Sequence, residues 1–584
     1  MKPAKTTAAI CGLLLTLIVT AQTPERVDLN AIEKIKAEAN RQSQLMEVAR
    51  NITTVSGPRI TNSPNVRAAG EYARKKLVEW KLDDVHLETW NFGNGWTGDK
   101  FSLRVSTDPP NTTYLAYSKP WTAGTNGPVT AEAVDAVIRS EADFTRLKGK
   151  LRGKFAMALQ GPTSPPPATT PTTVKRLTDE DLKKLAAGPA ASSAPALPPA
   201  AAPATGTVSP ATPAASAAGA GTATAPGQEA GFFAWVENAL SAAPVQPTNA
   251  APRPASNTPT AAQGITRERV TKFFFDEGVA AMIEPGPYRD GATLIQTATG
   301  EPNPWKTDPK MPKVPPQIVI SADQYYKIMQ LVTKPSTVML TIDAKNTFHT
   351  MDPLAINVVA DIKGTDKADE FVELGAHLDS WHLATGATDN GAGVAVVMEA
   401  MRILKATGLP MRRTVRMGLW TGEEEGMLGS RAFVDKYFFN RPIAQTKAGH
   451  AKLSAYFNVD NGTGLIRGVY MQGNKDITPI FEAWMAPFKA IGMTTLAPVS
   501  VGNTDHMSFD SIGLPAFQFI QDPIEYDNKT HHTNLDTFDR LISDDLIKNA
   551  QIVASFVYLA ANRDELLPRK PLPSNVHPAG SPVP

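Results

Sequence analysis

Cysteine is almost absent from this chain: its 584 residues include only one, Cys11. That residue lies inside an apolar segment, 8–19, near the N-terminus. Once this segment is removed, the remaining chain can form no disulfide and carries no thiol nucleophile or thiolate metal site. We therefore expect any bound metal ion to be held by histidine, aspartate and glutamate.

An excess of charge of either sign is also lacking, because 58 basic residues balance 57 acidic ones. The longest basic run, residues 74–76, falls in a predicted helix. This balance argues against a nucleic-acid partner. No long apolar run follows the N-terminal one, so we expect no stable membrane association once that segment is gone.

The N-terminus has the features of an export signal. Lys2 and Lys5 precede the apolar segment, which is too short to span a bilayer comfortably, and residues 19–21 form a small-residue cleavage site. We predict that residues 1–21 are a signal peptide and that the protein is exported, either periplasmic or secreted. The alternative is an uncleaved anchor.

The rest of the chain is long enough for at least two domains. Residues 22–124 are predicted to begin the main domain, with helices over 31–55 and 68–80 and a strand over 85–90. Residues 125–345 contain short β-like runs and are predicted to form an inserted, β-rich domain.

A tract rich in Ala, Pro, Thr and Ser interrupts this second region at about 163–263. Such a composition cannot bury enough apolar surface to offset its ordering entropy, so we predict a disordered insertion. Two short islands, 178–185 and 231–240, are candidates for docked or transient helices. Whether the tract is a tether or a tolerated insertion stays open.

Residues 346–565 alternate between apolar runs and amphipathic helical segments. This alternation predicts an α/β fold with a mostly parallel sheet and helices on both faces. Residues 566–584 are predicted to be a flexible tail.

Metal-binding types of side chain follow the ends of the predicted strands. They are His377, Asp379, Asp389, Glu423, Glu424, Asp460 and His532. In open α/β sheets, sites form in the crevice beyond the carboxyl ends of the strands, so we expect these side chains to converge. Imidazole and carboxylate ligands without thiolate suit zinc, with cobalt or manganese as substitutes.

Five such ligands suffice for two metal ions that share one bridging carboxylate. Two ions together lower the pKa of a bridging water and polarise the carbonyl under attack. A carboxylate outside the metal shell can take the proton of the water and return it to the leaving amine. Because Glu423 and Glu424 are adjacent, one can bind metal while the other faces the water. Asp379 is well placed to accept the second N–H of His377.

Five motifs follow one another in this half of the chain. They are Gly-Ala-His-Leu-Asp-Ser-Trp at 375–381, Gly-Ala-Thr-Asp-Asn-Gly-Ala-Gly at 386–393, Trp-Thr-Gly-Glu-Glu-Glu-Gly-Met-Leu-Gly-Ser at 420–430, Asn-Val-Asp at 458–460 and His-His-Thr-Asn-Leu-Asp-Thr at 531–537. Together they resemble the M28 family of dinuclear zinc peptidases. The surroundings of Trp381 are similar to its carboxypeptidase Q (plasma glutamate carboxypeptidase) branch. That family also accommodates an inserted protease-associated domain, which residues 125–345 resemble.

The resemblance implies a zinc exopeptidase-like fold, two zinc ions per chain and five ligands. Asp389 would bridge both ions. One ion would also be bound by His377 and Asp460, and the other by Glu424 and His532.

The resemblance also implies that Glu423 is the general base. Two alternative assignments, each shifted by one residue, stay open. In one, Glu424 is the base and Glu425 the metal ligand. In the other, His531 replaces His532 as the metal ligand.

Four further residues are candidates for a role near the substrate or behind the ligands. Tyr526 is a candidate oxyanion donor, and Asp505 and His506 resemble a loop of the family near the substrate. Trp381 is expected to pack rather than to contact substrate.

The leading functional hypothesis is an exported exopeptidase that removes one residue from short peptides or dipeptides with a metal-bridging hydroxide. Aminopeptidase and carboxypeptidase action stay open. An aminopeptidase needs an acidic group for the free amine, whereas a carboxypeptidase needs a cationic or amide clamp, for which Arg412, Arg467 and Asn503 are candidates.

Two other classes are weighed. A glutaminyl cyclase-like enzyme with one zinc ion is disfavoured because both His377 and Asp460 are present. A non-catalytic binding ectodomain is disfavoured because the ligands and the base are all retained. The oligomeric state stays open, with a homodimer among the alternatives.

Overall fold

The computed structural model describes residues 25–159, 174–188 and 265–580, except for 110, 126, 287, 290 and 291. The predicted signal peptide and most of the Ala/Pro-rich tract, including the island at 231–240, lie outside the described residues. Within the described ranges, no helix combines the length and the apolar character needed to cross a bilayer.

An eight-stranded sheet forms the centre of the main domain. Its four middle strands are parallel and bring their carboxyl ends to one edge. In spatial order they are Arg413–Trp420, Lys367–His377, Leu453–Asn458 and Ala516–Gln521. On one side the sheet continues, by antiparallel pairing, with Leu354–Ile362 and Asp83–Asn91. On the other side it continues with Ile466–Tyr470, which is antiparallel to its middle neighbour, and Thr495–Ala497. The α/β prediction is confirmed, and the sheet is mixed outside its parallel centre.

Helices cover both faces of this sheet, as predicted. One face carries a continuous apolar core formed by the helices Leu29–Gln42, Leu45–Arg50, Pro64–Glu79, Ala392–Thr407, Thr478–Met485 and Ser543–Asn562. The opposite face is covered by the helices Leu428–Tyr437 and His506–Asp510. Because both faces are buried, the middle strands are apolar along most of their length instead of alternating.

A seven-stranded sheet forms a second domain, and its extent corrects the predicted boundaries at 125 and 345. Strand Gly95–Val105 pairs with Met339–His349, so the domain begins earlier and ends later than predicted. The other strands, in spatial order, are Val129–Asp135, Phe155–Met157, Ala281–Gly286, Gln317–Ser321 and Ala116–Ser118. Its helices are Glu141–Leu147, Arg267–Glu277 and Ala322–Val332. Gly98, followed by two charged residues, interrupts the strand pattern and hides Gly95–Val105 in the sequence.

Two short hairpins lie outside these sheets. One joins Tyr288–Arg289 to Ala292–Thr293, and the other joins Phe439–Asn440 to Gln445–Thr446.

An aromatic cluster joins the two domains. Phe92 stacks on Trp305 with ring centroids 5.3 Å apart, and Trp121 meets Trp305 edge-on at 5.4 Å. Trp381, at the strand ends of the main domain, belongs to the same cluster and is 7% exposed. Because aromatic pairs add geometric specificity to apolar burial, the cluster fixes the second domain beside those strand ends.

One of the two predicted islands in the Ala/Pro-rich tract is an ordered, docked helix. Helix Asp179–Ala187 begins at a capping box in which Thr178 and Asp181 bond to each other's backbone. Leu182 is 4% exposed. The capping box is a local start signal that operates even within a tract of low overall apolar content.

The end of the chain, predicted to be a flexible tail, lies packed on the main domain as far as residue 577, which bridges to Gln445. Leu567 is 1% exposed, and the Arg569 guanidinium donates to the Leu453 carbonyl at 2.5 Å. A prediction from composition missed these contacts because single apolar and basic side chains anchor this segment without any periodic pattern.

The middle strand Lys367–His377 buries a carboxyl group that has no hydrogen-bond partner among the described residues. This is Glu373, which is 1% exposed. Burial raises the pKa of Glu373 to about 8, and the charge of Arg416 opposes the rise. Between these two pKa values the Glu373 carboxyl group is protonated in the folded protein, whereas in the unfolded chain it ionises above its ordinary pKa of 4.5. Stability falls as the pH rises between those two values.

We expect the substitution Glu373→Gln to remove this pH dependence. By calorimetry or thermal circular dichroism, the Tm of the variant should exceed that of the parent by several degrees at about pH 8.5 and match it within ~2 °C at about pH 5. Asp369→Asn, at a 74% exposed position on the same strand, is the matched control and should not raise the Tm. An equal difference between variant and parent at both pH values would contradict a protonated Glu373.

Candidate metal centre

The parallel strands place the predicted ligands at one edge of the main sheet. His377 is the last residue of its strand, and Asp460 lies two residues beyond the neighbouring strand. Glu423 and Glu424 lie in the turn after the strand on the other side. His532 lies in the loop beyond the fourth parallel strand. Four separate segments therefore meet where the crevice of an open α/β sheet is expected.

Asp389 lies at the centre of this cluster. Its Oδ1 is 3.2 Å from His377 Nε2, and its Oδ2 is 3.2 Å from His532 Nε2. On one side Asp460 Oδ1 is 3.4 Å from His377 Nε2, and on the other Glu424 Oε2 is 2.8 Å from His532 Nε2. The structure thus contains two groups of ligand-type atoms that share Asp389.

Several oxygens of these groups are buried and make no well-aligned hydrogen bond to the described residues. They are Asp389 Oδ2 and Glu424 Oε2, which face His532 Nε2, Asp460 Oδ1, which faces His377 Nε2, and Glu424 Oε1. Unpaired buried carboxylates are costly, and coordination of a metal ion offsets that cost. Imidazole and carboxylate donors without sulfur suit zinc. The residues present therefore fit zinc, and the place of Asp389 between two histidines fits a bridging ligand.

The backbone oxygen of Asp379 lies closer to the second ring nitrogen of His377 than the Asp379 carboxylate does. The Nδ1 of His377 is 3.1 Å from the backbone oxygen of Asp379 and 3.7 Å from its carboxylate. The backbone carbonyl therefore accepts the Nδ1–H and leaves Nε2 facing Asp389. The Asp379 carboxylate instead accepts the backbone N–H groups of Glu423 and Glu424, at 3.3 and 3.2 Å. The Asp379 carboxylate therefore orients the turn that carries Glu423 and Glu424, and it also lies behind His377.

Glu423 lies beside the group that contains His377. Its Oε2 is 4.0 Å from His377 Nε2, and its side chain is 10% exposed. Burial raises the pKa of Glu423 well above its ordinary value, the charge of His377 opposes the rise, and the Asp460 carboxylate adds to it. A carboxyl group in this environment is suited to take up and release a proton.

The three consecutive glutamates occupy different positions. Glu424 has the oxygen next to His532. Glu425 is buried near Asp379, whose charge adds to burial in raising the pKa of Glu425 well above its ordinary value. The geometry therefore favours the register in which Glu424 is a ligand and Glu423 the base.

The two adjacent histidines also differ. The Nε2 of His532 is 3.2 Å from Asp389 Oδ2, whereas that of His531 is 3.9 Å away. His532 also lies against Glu424, with its Nε2 2.8 Å from Oε2. The distances favour His532 as the ligand, with the His531 ring 3.9 Å from it.

A segment of the second domain holds the His532 loop. His532 has a φ of 58°, which is unfavourable for a residue with a side chain. The Ile295 N–H donates to the His532 carbonyl at 2.8 Å, and Leu294 forms an antiparallel bridge with Thr533. The surrounding backbone bonds therefore fix a strained ligand conformation from outside the main domain.

Sequence reasoning missed Arg59, a buried cation behind the centre. Its guanidinium donates to the carbonyls of Leu378, Thr385 and Gly386, at 2.6, 2.5 and 2.9 Å. Burial lowers the pKa of Arg59 to about 10, and the Asp536 carboxylate opposes the fall, so the group stays charged at neutral pH. Arg59 ties together the loops that carry His377 and Asp389. A lone arginine after Gly-Pro gives no periodic or spacing signal.

Asp536 was also missed, although it lies inside the motif at 531–537. It is 3% exposed, and its Oδ2 accepts the backbone N–H of Asp389 at 3.0 Å. Its Oδ1 accepts the N–H and the hydroxyl of Thr388 at 2.6 and 2.8 Å. The carboxylate thus holds the Asp389 loop, and the acidic residue in the motif was the signal for it.

The other candidates divide into residues beside the centre and residues behind it. The Tyr526 ring lies 4.9 Å from that of His531, and burial raises the pKa of Tyr526 well above its ordinary value. Asp505 is fully buried, and burial raises its pKa to about 7 against the charge of His377.

His506 has polar contacts behind the centre, whereas Trp381 mainly packs. The His506 Nε2 is 3.0 Å from the Val501 carbonyl and also meets the Gln472 side chain, and burial lowers the pKa of His506 to about 4. Trp381 belongs to the aromatic cluster, and its ring also stands edge-on to that of His532 at 6.1 Å and lines the cleft.

Comparison with known proteins finds similarity to one family of peptidases over the part of the chain that contains this centre. A family model described as Peptidase family M28 matches residues 357–557. Carboxypeptidase Q of Rattus norvegicus is 30% identical over 218 residues, which are 37% of this chain and 44% of that protein. Leucine aminopeptidase 1 of Arthroderma otae is 29% identical over 223 residues, which are 34% of this chain and 57% of that protein. The matches thus span about half the length of these curated relatives.

Solved structures resemble the fold over nearly all of the chain. A peptidase M28 precursor from Shewanella amazonensis gives a TM-score of 0.59 at 20% identity, covering 93% of this chain and 98% of that one. A zinc aminopeptidase from Bacillus subtilis gives 0.52 at 16% identity, covering 89% and 95%. At these identities the similarity shows a shared fold.

We expect Arg59→Met to destabilise the protein strongly, because it leaves several buried carbonyls without a donor. The free energy of unfolding from denaturant titration should fall by about 3 kcal/mol or more. Arg441→Met removes a half-buried ion pair with Asp435 and is the control, with an expected loss of at most about 1 kcal/mol. Equal losses in the two variants would contradict a structural role for Arg59 behind the centre.

Proposed function

Because residues 357–557 carry a peptidase family M28 domain, we propose that this protein is a dinuclear zinc exopeptidase that acts on short peptides. The observation that carries the proposal is the position of Asp389 between a His377–Asp460 group and a Glu424–His532 group. The names of the similar proteins, carboxypeptidase Q and zinc aminopeptidase, support the same class of reaction.

The residues around the centre have distinct tasks in this proposal. Zinc ions held there would supply Lewis acidity toward the scissile carbonyl and lower the pKa of the attacking water. The Glu423 carboxylate takes the proton of that water and delivers it to the leaving amine nitrogen. Tyr526, whose raised pKa keeps its hydroxyl protonated, is suited to donate to the developing oxyanion. The backbone oxygen of Asp379 keeps the proton of His377 on Nδ1.

The cleft at the centre lacks a cationic side chain that could bind a free carboxylate. It is lined by Ile295, Trp381, Ala384, Gly386, Asp389, Glu424, His532, Thr533 and Asp536. None of these is lysine or arginine, and the three acidic residues among them already serve as proposed metal ligands or hold the Asp389 loop. Two of the three predicted candidates for a carboxylate clamp are engaged elsewhere, since Arg412 pairs with Asp366 at the opposite end of the parallel strands and Arg467 pairs with Asp522.

We therefore expect aminopeptidase activity. Leu-p-nitroanilide and unblocked dipeptides should be hydrolysed, whereas the N-acetylated forms should be hydrolysed at least ~10²-fold more slowly, because acetylation removes the positive charge and a hydrogen-bond donor from the amino terminus. Release of p-nitroaniline and chromatography of the dipeptides measure this. Preference for N-blocked peptides with a free carboxylate would instead indicate carboxypeptidase action.

We expect Glu423→Gln to separate proton transfer from metal binding. Turnover should fall by at least ~10²-fold, since the base is lost, while elemental analysis still finds two zinc equivalents per chain. Glu424→Gln, the matched change at the next residue, should lower the zinc content itself. Retained activity in Glu423→Gln would move the base to another residue, and one zinc equivalent in the parent would favour the single-zinc cyclase class.

Three further assignments belong to this proposal. The protein is exported by the segment 1–21, so its peptide substrates are extracytoplasmic. The second domain, which contacts the cleft through Ile295, is a protease-associated domain. Cobalt and manganese, which accept the same ligand types, would substitute for zinc.

A further inference from the structure

A short stretch of the Ala/Pro-rich tract crosses to the main domain and bonds to the loop that leads to the catalytic centre. We call residues 174–188 the strap. Its Lys175 exchanges both backbone hydrogen bonds with Ile524, at 3.3 and 2.9 Å. This is the pattern of an antiparallel strand pair, so the strap extends the backbone pairing of the loop beyond the fourth parallel strand.

A buried carboxylate anchors the strap. Asp522 is 0% exposed, and its Oδ1 accepts the backbone N–H of Leu177 and the guanidinium of Arg467, both at 2.9 Å. Its Oδ2 accepts the Arg176 guanidinium at 2.9 Å. Arg176 also donates to Asp545, at the start of the closing helix, at 2.7 Å. One arginine thus joins the strap, the loop and a core helix by charge-assisted bonds, which are stronger than neutral ones.

The loop held in this way carries residues of the centre. Ile524 has a φ of 48°, which is unfavourable for a β-branched residue, and its backbone bonds to the strap offset that strain. Two residues later comes Tyr526, whose ring packs on Gly462 and lies 4.9 Å from the ring of His531. The loop then reaches His532. A shift of the backbone at 522–524 therefore moves the Tyr526 hydroxyl and the imidazoles of His531 and His532 beside the cleft.

We propose that Arg176 is a positioning residue: through Asp522 and the strap it holds the loop 522–532 in the arrangement needed for hydrolysis. This rests on the proposed peptidase function and deepens it, because a segment within the Ala/Pro-rich tract becomes part of the machinery that shapes the site. The second domain holds the same loop at its other end, through Ile295 and His532.

The substitution Arg176→Met tests this directly in the full-length protein. It keeps the length and much of the apolar stem of the side chain while it removes the bonds to Asp522 and Asp545. We expect faster amide hydrogen exchange in 522–532 without a change in the central strands. We also expect kcat to fall about tenfold or more with a smaller change in KM, because misplacement of reacting groups acts on turnover. Arg176→Lys should recover part of both.

Lys184→Met is the matched control on the same strap. Lys184 pairs with Glu180 on its own helix, and its side chain is 64% exposed. Exchange in 522–532 and kcat should match the parent. Unchanged exchange and kcat in Arg176→Met would overturn the proposal. Inactivity of the parent toward every peptide would defeat the peptidase assignment, whereas the exchange measurement would still test the strap.

A reversible disulfide distinguishes loss of the strap contact from general unfolding of the Arg176→Met variant. Lys175 and Ile524 form a hydrogen-bonded pair, whose Cα atoms lie about 5.5 Å apart in general, within the range that a disulfide spans. The triple variant Lys175→Cys, Arg176→Met, Ile524→Cys should regain kcat and slow exchange when oxidised and lose both when reduced. The one natural cysteine, Cys11, lies in the predicted signal and does not compete. Failure of the oxidised form to recover activity above that of Arg176→Met would count against the strap.

Discussion

Repulsion among buried carboxyl groups is the constraint on which the rest of this structure depends. Eight of them gather at the ends of the parallel strands: Asp379, Asp389, Glu423, Glu424, Glu425, Asp460, Asp505 and Asp536. In a medium of low dielectric, such a group is tolerated only with hydrogen bonds, protons or cations to offset it. The guanidinium of Arg59 meets part of this need, and a pair of divalent cations would meet most of the rest.

The surrounding elements divide the work of holding these groups in place. The carboxyl groups of Asp379 and Asp536 accept backbone N–H groups and so fix the turns at Glu423 and Asp389. The strands supply the rigid half of the centre, with His377 directly at a strand end. The His532 half depends on a loop, and that loop is held from outside by the second domain and by the strap. The half of the centre that lies at a strand end and the half that lies on a loop thus face each other across Asp389.

The sequence predicted the elements that repeat a pattern and missed those that rest on single contacts. The parallel centre followed from apolar runs alternating with amphipathic helices, and the ligand positions followed from polar residues at the ends of those runs. Strand Gly95–Val105 was missed because glycine and charge interrupt its alternation. Arg59 has no local signature, since its role arises from carbonyls that are distant in the chain. The role of the Asp379 carboxylate needed side-chain geometry, because residue spacing does not distinguish a backbone acceptor from a side-chain one.

The second domain is inserted between the edge strand Asp83–Asn91 and its partner Leu354–Ile362. Helices Leu29–Gln42 and Pro64–Glu79 therefore leave the ribosome long before the sheet that covers their apolar faces has been made. Such surfaces on a nascent chain invite aggregation, and long-range pairing makes their burial slow. The inserted domain can close its own sheet only when Met339–His349 emerges, immediately before the main sheet begins to form. The order of translation thus leaves the apolar faces of the first helices exposed until the strands of the main sheet have been made.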